Sequence, residues 1–401
     1  MRTTWSFAAA NELVFGSSSI EHIALHLSRR GFQRPLVISD RAIESAGIIE
    51  KLISPLKQAA IPTEVFLDGE PEPSLKTAQS AYALAQDYQP DCLIGLGGGS
   101  NIDLSKMTAI LYSHGGQASD YFGFNKVPGK VIPIIGVPTT SGTGSEVSHA
   151  AVLTDSANKI KVSSLSSHLR PELAIVDPLL SITCPKQVTA DSGIDALTHA
   201  IEAFCAVPFS ELKIQDDQPA AYSGKNPMCD AMALEAVKLI YRHLPTAVEE
   251  PNNQKAREGM SLAATLAGLA FSNAGVAVVH ALEYPMGGEL HCSHGAGNGL
   301  LLPFVMEHNR SHCHHEYSQL AEAMGVNHPA MSENEKASAA IQAVHDLKAT
   351  IGIPLTIRDL GGSKDQLATF AQKSHAITRL RQLTRGNPTE ADLLKILKAA
   401  F

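Results

Sequence analysis

Apolar runs of strand length alternate with helical stretches over the first 180 residues or so of the chain. Helical periodicity covers residues 42–59, 75–88 and 103–113. Parallel strands joined by helices are buried on both faces, so they read as short, nearly continuous apolar runs. Five segments fit that description: 35–40, 63–67, 92–96, 131–137 and 173–176. The pattern predicts an α/β domain, a parallel sheet flanked by helices.

Strand-like runs stop after about residue 185, and only helical periodicity follows. Helices are predicted at 187–205, 229–244, 256–270, 276–286, 316–324, 334–351, 365–374 and 389–400. We therefore expect the α/β domain at 1–184 and an all-α domain at 185–401. A polar loop at 208–227 lies between two of these helices. A loop of that length is often functional, and a surface insertion fits it equally well.

The composition is that of a globular, two-domain protein of 401 residues, 44% apolar and 18% charged. A net charge of −8 argues against nucleic acid, which requires basic patches. The six cysteines show no CxxC pair and no disulfide-framework spacing, as in a reducing compartment. We recognise neither a signal peptide nor a membrane-spanning apolar stretch, so we expect a cytoplasmic protein without a membrane partner.

Glycines crowd the end of the third predicted strand, in IGLGGGSNID at residues 94–103. Gly97 and Gly98 allow close approach of a ligand, and Ser100 with the following helix start offers N–H groups to a phosphate. This arrangement favours a nucleotide site. The alternative is a purely structural turn. The usual dinucleotide fingerprint is not met, because no acidic residue ends a strand about 20 residues further on.

Polar residues also follow two other predicted strands. Asp40 would accept a hydrogen bond from a ribose 2′-hydroxyl and repel a 2′-phosphate, which favours NAD over NADP; alternatively it caps a helix. The loop 138–146, PTTSGTGSE, offers a second cradle for phosphate or ribose, with a capped turn as the alternative. Lys161, in a later strand-like run, either reaches the cofactor or is solvated.

Four potential metal ligands lie in the predicted all-α domain. Asp195 and His199 are four residues apart and share one helix face. His280 interrupts a strongly apolar helix, and His294 follows it. Each histidine alone is more typical of an ordinary core residue. Together, one carboxylate and three imidazoles form a ligand set suited to Fe²⁺ or Zn²⁺.

These segments, in this order and spacing, resemble the iron-containing (group III) alcohol dehydrogenase family from about residue 10 to the C-terminus. The resemblance is carried by GGGSNID, PTTSGTGSE, DSGIDALTHAIEAF, HALEYPMGG…HG and the tail segment GNP at 386–388. It implies a dinucleotide-binding α/β domain followed by an α-helical metal domain, and a homodimer. By motif, the implied metal ligands are Asp195, His199, His280 and His294. The implied nucleotide contacts are Asp40, Gly97, Gly98, Ser100, Asp103, Thr139, Thr140, Thr143 and Lys161.

The chain departs from the family pattern at several positions. Many members have a second histidine four residues after the third ligand, where this chain has Tyr284; the tyrosine either replaces that histidine in a catalytic role or simply packs. Asn101 stands where proline often follows GGGS, and we expect it only to alter the helix start. The 208–227 loop looks more like that of members related to the hydroxyacid–oxoacid transhydrogenases than like that of compact alcohol dehydrogenases. His312, His314 and His315 are interpreted as an exposed helix start.

The resemblance implies a metal-dependent enzyme that transfers hydride between NAD(H) and a small alcohol or hydroxy acid, or the matching aldehyde or ketone. The implied cofactors are NAD and Fe²⁺, with Zn²⁺ as the other candidate. One alternative is a hydroxyacid–oxoacid transhydrogenase with tightly bound NAD. Others are a lyase resembling dehydroquinate synthase and a non-enzymatic metal- or nucleotide-binding protein.

Overall fold

The computed structural model describes residues 2–155, 160–213 and 220–401. The chain divides between Cys184 and Pro185 into an α/β unit and a helical unit. Residues 2–8, expected in the α/β domain, belong to the helical unit. The reason is local: Ala8 N donates to Asn273 Oδ1 over 2.8 Å, and Asn273 Nδ2 donates to Ala8 O over 2.8 Å.

Nine strands and five α-helices are described in the α/β unit. The strands are β1 Glu12–Phe15, β2 Pro35–Ile38, β3 Glu64–Phe66, β4 Cys92–Gly97, β5 Gly123–Phe124, β6 Ile134–Pro138, β7 Ala150–Asp155, β8 Ile160–Leu165 and β9 Leu173–Val176. The helices are α1 Ile23–Arg30, α2 Arg41–Ser45, α3 Ile48–Gln58, α4 Leu75–Tyr88 and α5 Gly99–His114. The predicted helix at 42–59 is split, because Gly47 turns the backbone at φ 73°.

Six strands form one sheet in the order β1-β9-β6-β4-β2-β3, and every pairing in it is parallel. Alternate residues of β2 face opposite sides, so Leu36 and Ile38 enter one core while Val37 enters the other. This confirms the predicted parallel sheet with helices on both faces. The sequence analysis missed β1, because this edge strand is partly exposed and lacks a continuous apolar run.

A second, three-stranded sheet has the order β5-β8-β7. Its antiparallel β7–β8 pair was only half predicted, from the strand-like run that contains Lys161. That predicted run covers residues 158–164, and its first two residues, 158 and 159, lie outside the described residues. In the chain, β7 and β8 follow the loop after β6, which is one of the two candidate nucleotide loops, whereas β5 precedes β6.

The helical unit confirms the predicted all-α domain. Its helices are α6 Lys186–Cys205, α7 Pro227–Glu249, α8 Gln254–Ala274, α9 Val278–Leu290, α10 His294–Met324, α11 Glu333–Thr350, α12 Leu367–Ala376, α13 Thr378–Arg381 and α14 Glu390–Ala399. The sequence analysis predicted only the last third of α10. That helix has a break at Cys313, with φ −129° and ψ 19°.

Among the described residues, no single helix has both the length and the apolar character needed to span a membrane. The pair α8 and α9 reaches the required length only together, with a bend of 103° between the two helices.

Candidate metal and nucleotide sites

The first two predicted ligands lie in the middle of α6. Asp195 and His199 are both buried, and Asp195 Oδ2 is 3.8 Å from His199 Nε2. The i, i+4 spacing places them on one face, as the sequence predicted. The His199 ring stacks on Phe271 of α8 with ring centroids 4.2 Å apart, which fixes the plane of the imidazole.

His280 of α9 and His294, at the start of α10, complete the cluster. His280 Nε2 is 3.9 Å from Asp195 Oδ1. One ligand atom each from Asp195, His280 and His294 lies within 4.8 Å of the others. His199 adjoins this group of three, and its ring stacks on that of His280 at 4.9 Å between centroids. The structure therefore brings all four predicted ligands into one neighbourhood, with three of them in closest convergence.

A carboxylate stands behind each of two imidazoles. His280 Nδ1 donates to Glu202 Oε2 over 2.6 Å, and His294 Nδ1 donates to Glu283 Oε2 over 2.5 Å. With Nδ1 protonated, the Nε2 atom of each ring keeps its lone pair and is the atom that could ligate a metal. The sequence analysis did not single out these two acids, although each lies three residues after a predicted histidine ligand.

The side-chain amide of Asn298 lies where the ligand atoms converge. Its Nδ2 donates to Asp195 Oδ1 over 2.8 Å and lies 3.2 Å from the Nε2 atoms of both His280 and His294. The contacts show that the three acceptors face a common point. No pattern in the sequence singles out Asn298, which lies four residues after His294 in α10.

The electrostatics of the cluster favour an anionic Asp195. Burial alone raises the pKa of this carboxyl, but His199, His294 and His280, with the Asn298 hydrogen bond, hold it below its usual range. In contrast, burial raises the pKa of Asp191, one turn earlier on α6.

The donor set fits a divalent cation. Asp195, Glu202 and Glu283 are three carboxylates buried together, and burying carboxylates without compensating charge is costly. A divalent cation held by the acid and imidazole donors would offset most of that negative charge. One carboxylate with several imidazole nitrogens suits iron or zinc better than calcium or magnesium, which prefer oxygen ligands.

Tyr284 lies beside the cluster, one turn after His280. Its ring centroid is 6.5 Å from that of His280 and 6.0 Å from that of His294. Its hydroxyl is hydrogen-bonded to Arg379, and so is the hydroxyl of Tyr222. Burial lowers the pKa of the Arg379 guanidinium, but the two tyrosines outweigh this effect, so the pKa is raised overall. The ring of Tyr284 therefore packs beside the two histidines, while its hydroxyl keeps a hydrogen-bond partner.

In the α/β unit, the candidate nucleotide residues follow the neighbouring strands β2, β4 and β6. Because the strands are parallel, their carboxyl ends share one edge of the sheet. Gly97 has φ 144°, and a Cβ there would overlap the Asn101 side chain. A Cβ on Gly99 would lie 2.7 Å from Thr143 Oγ1. Only glycine fits at these two positions, which explains the run GGG.

Asp40 caps α2, as its alternative interpretation held. Its Oδ1 accepts from the backbone N–H groups of Ala42 and Ile43 over 2.8 and 2.9 Å. Its Oδ2 accepts from Asn101 Nδ2 over 2.7 Å. Asn101 thus does more than alter the helix start: it links the end of β2 to the glycine-rich turn. The cap does not rule out a ribose contact, because a carboxylate has about four acceptor positions.

The remaining predicted nucleotide residues differ in their surroundings. Thr139 N donates to Gly97 O over 2.9 Å and so joins the two loops. The Thr140 side chain would lie 3.5 Å from a Cβ on Gly98, and Ser100 Oγ accepts from Glu72 N over 3.3 Å. These positions lie at the edge where a nucleotide site was predicted.

Asp103 and Lys161 have firm partners within the α/β unit. Asp103 accepts from Ser145 Oγ over 2.5 Å and from Val152 N over 2.9 Å. Lys161 Nζ is 2.8 Å from Glu72 Oε1, and only 6% of the lysine side chain is exposed. Lys161 is therefore not solvated. Asp103 therefore braces the loop after β6, and Lys161 braces the segment around Glu72.

Lys106 of α5 was missed by the sequence analysis. It is fully buried, and its Nζ donates to five oxygens at 2.7–3.1 Å, belonging to Ser145, Ser148 and Ala150. Burial lowers its pKa to about 8, against the opposing effect of Asp103 and Glu146, so it is an ammonium at neutral pH. It ties the loop after β6 to α5. The only sequence signal was a lysine within an apolar helix.

Two further interpretations are clarified by the structure. Lys225, near the end of the 208–227 loop, donates to Phe204 O and Asp230 Oδ1, each over 2.9 Å, and so caps α6. His312, His314 and His315 lie within α10 on either side of its break at Cys313, so His314 and His315 begin the helical segment after the break, with side chains that are 50% and 64% exposed. Part of the 208–227 loop, residues 214–219, lies outside the described residues.

Comparisons with known proteins agree with this architecture. Residues 10–178 match the family description "Iron-containing alcohol dehydrogenase", and residues 220–401 match "Fe-containing alcohol dehydrogenase family, C-terminal". The chain is 37% identical to long-chain-alcohol dehydrogenase 1 of Geobacillus thermodenitrificans (strain NG80-2), over 96% of this chain and 94% of that protein. It is 31% identical to the NAD-dependent methanol dehydrogenase of Bacillus methanolicus, over 97% of each.

Among solved structures, that of a 1,3-propanediol oxidoreductase superposes with a TM-score of 0.92 at 32% identity, covering 100% of both chains. The fold and its cluster of acid and imidazole ligands define a metal-dependent, nucleotide-linked oxidoreductase. The chain belongs to the iron-containing alcohol dehydrogenase family. This confirms the predicted enzyme class, hydride transfer between NAD(H) and alcohols or aldehydes, and the predicted cofactors NAD and iron.

Proposed function

We propose that Asp195, His199, His280 and His294 hold the catalytic iron, and that the enzyme interconverts a small primary alcohol and its aldehyde. The observation that carries this proposal is the convergence of donor atoms from Asp195, His280 and His294 within 4.8 Å. The carboxylates behind two of the imidazoles support it, since such partners are typical of metal-bound histidines. Zn²⁺ fits the same donor set and is the alternative ion.

The protein contributes orientation and electrostatics. When bound, the metal supplies Lewis-acid polarisation of the substrate oxygen, and NAD(H) supplies the hydride chemistry. Asp195 contributes the negative charge of the ligand set, and its depressed pKa keeps that charge at neutral pH. We assign Tyr284 a place in the catalytic site through its hydroxyl, which Arg379 orients.

For NAD, we propose contacts from both loops at the sheet edge. Gly97, Gly98 and Ser100 would meet the phosphates at the start of α5. Thr139, Thr140 and Thr143 would add hydroxyl contacts from the loop after β6. Asp40 would bind the ribose and disfavour a 2′-phosphate. Asp103 and Lys161 would act on NAD through the loops they brace, since Asp103 accepts from Ser145 and Val152 and Lys161 pairs with Glu72.

An uncharged aliphatic alcohol is the substrate class we favour. Phe271 presents an aromatic ring against His199 at 4.2 Å, so an apolar wall adjoins the ligand cluster. The relatives compared above are named for long-chain alcohols, methanol and 1,3-propanediol. Apolar walls discriminate weakly between chain lengths, with about 1–3 kcal/mol per methylene, so a graded preference is expected.

The test is elemental analysis of the purified protein followed by an absorbance screen at the NADH band. The panel should hold straight-chain alcohols and aldehydes together with hydroxy acids. We expect about one iron or zinc per chain and NADH formation with primary alcohols. A protein that holds metal but changes NADH absorbance with no member of the panel would contradict the proposal. Turnover without free NAD⁺ uptake, between a hydroxy acid and an oxo acid, would instead identify a transhydrogenase.

We also propose a homodimer located in the cytoplasm, without nucleic-acid or membrane partners. The dimer rests on the family resemblance. The cytoplasm is supported by the six cysteines, none of which forms a disulfide among the described residues. Light scattering of the purified enzyme tests the first, and fractionation of cells that express it tests the second.

A further inference from the structure

We propose that Glu283 is a positioning residue that holds His294 in its ligating orientation and thereby sets how fast the metal is lost. The inference rests on the proposed metal site. Its central observation is the 2.5 Å hydrogen bond from His294 Nδ1 to Glu283 Oε2. Glu283 itself is fully buried, with 0% of its surface exposed.

The two histidines backed by carboxylates differ in their surroundings. Only 3% of the His280 side chain is exposed, against 31% of the His294 side chain. Glu202, behind His280, is also anchored by the N–H groups of Ala277 and Val279 over 2.8 and 2.6 Å. His280 is therefore held by packing and by a fixed partner. His294 has solvent on one side, so its orientation depends more strongly on Glu283.

The helices around Glu283 leave room for its side chain. Gly287 follows it by one turn on α9, and a Cβ there would overlap Glu283 Oε1. Gly297 faces it from α10, and a Cβ there would lie 2.8 Å from Glu283 Cγ. Both glycines have ordinary helical φ values, so their backbone conformation does not require glycine. The space they leave is occupied by the Glu283 side chain.

A consequence follows for metal exchange. A ligand can leave the metal only by rotating away, and the half-exposed His294 has the least packing to prevent rotation. The hydrogen bond to Glu283 opposes that rotation and keeps the Nε2 lone pair aimed at the point faced by Asp195 and His280. Outer-sphere partners of this kind typically change metal affinity by about 10- to 100-fold. We assign this effect at Glu283 to the dissociation rate.

The experiment follows loss of Co²⁺, a spectroscopic probe, from the loaded full-length protein after addition of excess EDTA. The visible absorption of bound Co²⁺ reports the coordination directly, without turnover. We expect E283Q, which keeps the size of the side chain but removes its charge, to lose Co²⁺ about 10- to 100-fold faster than wild type. E289Q is the matched control, because Glu289 lies exposed on the same helix beside Lys373; it should behave as wild type.

G297A provides a second variant that leaves every polar side chain in place. Its added Cβ displaces the Glu283 stem, so it should also accelerate Co²⁺ loss. Circular dichroism and NAD⁺ affinity should match those of wild type in both variants. If E283Q and G297A both lose Co²⁺ at the wild-type rate while D195N loses it faster, the role of Glu283 is overturned but the proposed metal site is not. Retention of Co²⁺ by D195N as tightly as by wild type would overturn the proposed metal site and this inference with it.

Discussion

Each unit of the molecule buries a polar cluster, and the two clusters differ in the origin of their positive charge. In the α/β unit, the ammonium of Lys106 lies among five oxygens of the loop and strand around Ser145, Ser148 and Ala150. In the helical unit, Asp195, Glu202 and Glu283 meet the imidazoles of His280 and His294 around the Asn298 amide.

The comparison teaches how to tell a structural cluster from a ligand site. The Lys106 cluster contains both its cation and its acceptors, so it is complete as folded and can stabilise the loop by itself. The Asp195 cluster gathers three carboxylates with imidazole lone pairs aimed at one point, which is the donor arrangement of a metal site. The first is expected to matter for stability and the second for metal binding and turnover.

The largest effect should come from His280→Ala. Removing one ligand imidazole should abolish metal retention and lower kcat by about 1,000-fold or more. The transition state loses several kcal/mol of Lewis-acid stabilisation, and each loss of about 1.4 kcal/mol slows the reaction tenfold. The measurements are metal content by elemental analysis and initial rates at the NADH band. His328→Ala, at an exposed histidine on the same unit, is the control. A metal-free H280A enzyme with full activity would refute the site.

Lys106→Met should destabilise the α/β unit by about 3–5 kcal/mol, since it leaves buried acceptors without their charged donor. Denaturant unfolding measures this loss. The variant should also bind NAD⁺ more weakly, because the loop after β6 loses its anchor, while its metal content stays at the wild-type level. Lys57→Met, at a lysine with 67% of its side chain exposed, should change stability by less than about 0.5 kcal/mol. Loss of metal from K106M at wild-type stability would contradict the separation of roles.

The four candidate ligands could be singled out from the sequence more readily than the residues that surround them. The i, i+4 pair Asp195 and His199 is visible because both lie on one helix. His280 stood out as an imidazole in an apolar run. Glu283 and Asn298 acquire their roles only when α9 and α10 pack together, which depends on glycines such as Gly297 that carry no chemistry of their own.

The same limit applies to the fold. Strands buried on both faces have a continuous apolar signal, so β2, β4, β6 and β9 were found within a few residues. The edge strand β1 has no such signal. The first two-thirds of α10 were missed, and at its start Gly295, Gly297 and Gly299 weaken the helical propensity. Those glycines fit where neighbouring atoms leave no room for a Cβ, which is tertiary information.

Removal of the metal should destabilise the helical unit by an intermediate amount. A ligand present at 100 times its Kd stabilises the folded state by about 2.7 kcal/mol, and chelation withdraws that contribution. Hydrogen exchange should therefore quicken in α6, α9 and the start of α10 when EDTA is added. Exchange in α5 and the strands of the α/β unit should change little. A uniform increase over both units would show that the clusters are not energetically separate.

The smallest effect concerns the choice of nucleotide. Asp40→Asn keeps the helix cap, because asparagine caps as well as aspartate, but it removes the negative charge and the acceptor of the Asn101 amide. We expect the ratio of kcat/KM for NADP⁺ to that for NAD⁺ to rise about tenfold, a change of about 1.4 kcal/mol, as the repulsion of a 2′-phosphate is relieved. Asp40→Ala should shift the ratio similarly and also cost about 1 kcal/mol of stability through the lost cap. If D40N leaves the ratio unchanged while D40A destabilises the protein, Asp40 serves α2 and Asn101 alone, and the preference for NAD arises elsewhere in the α/β unit.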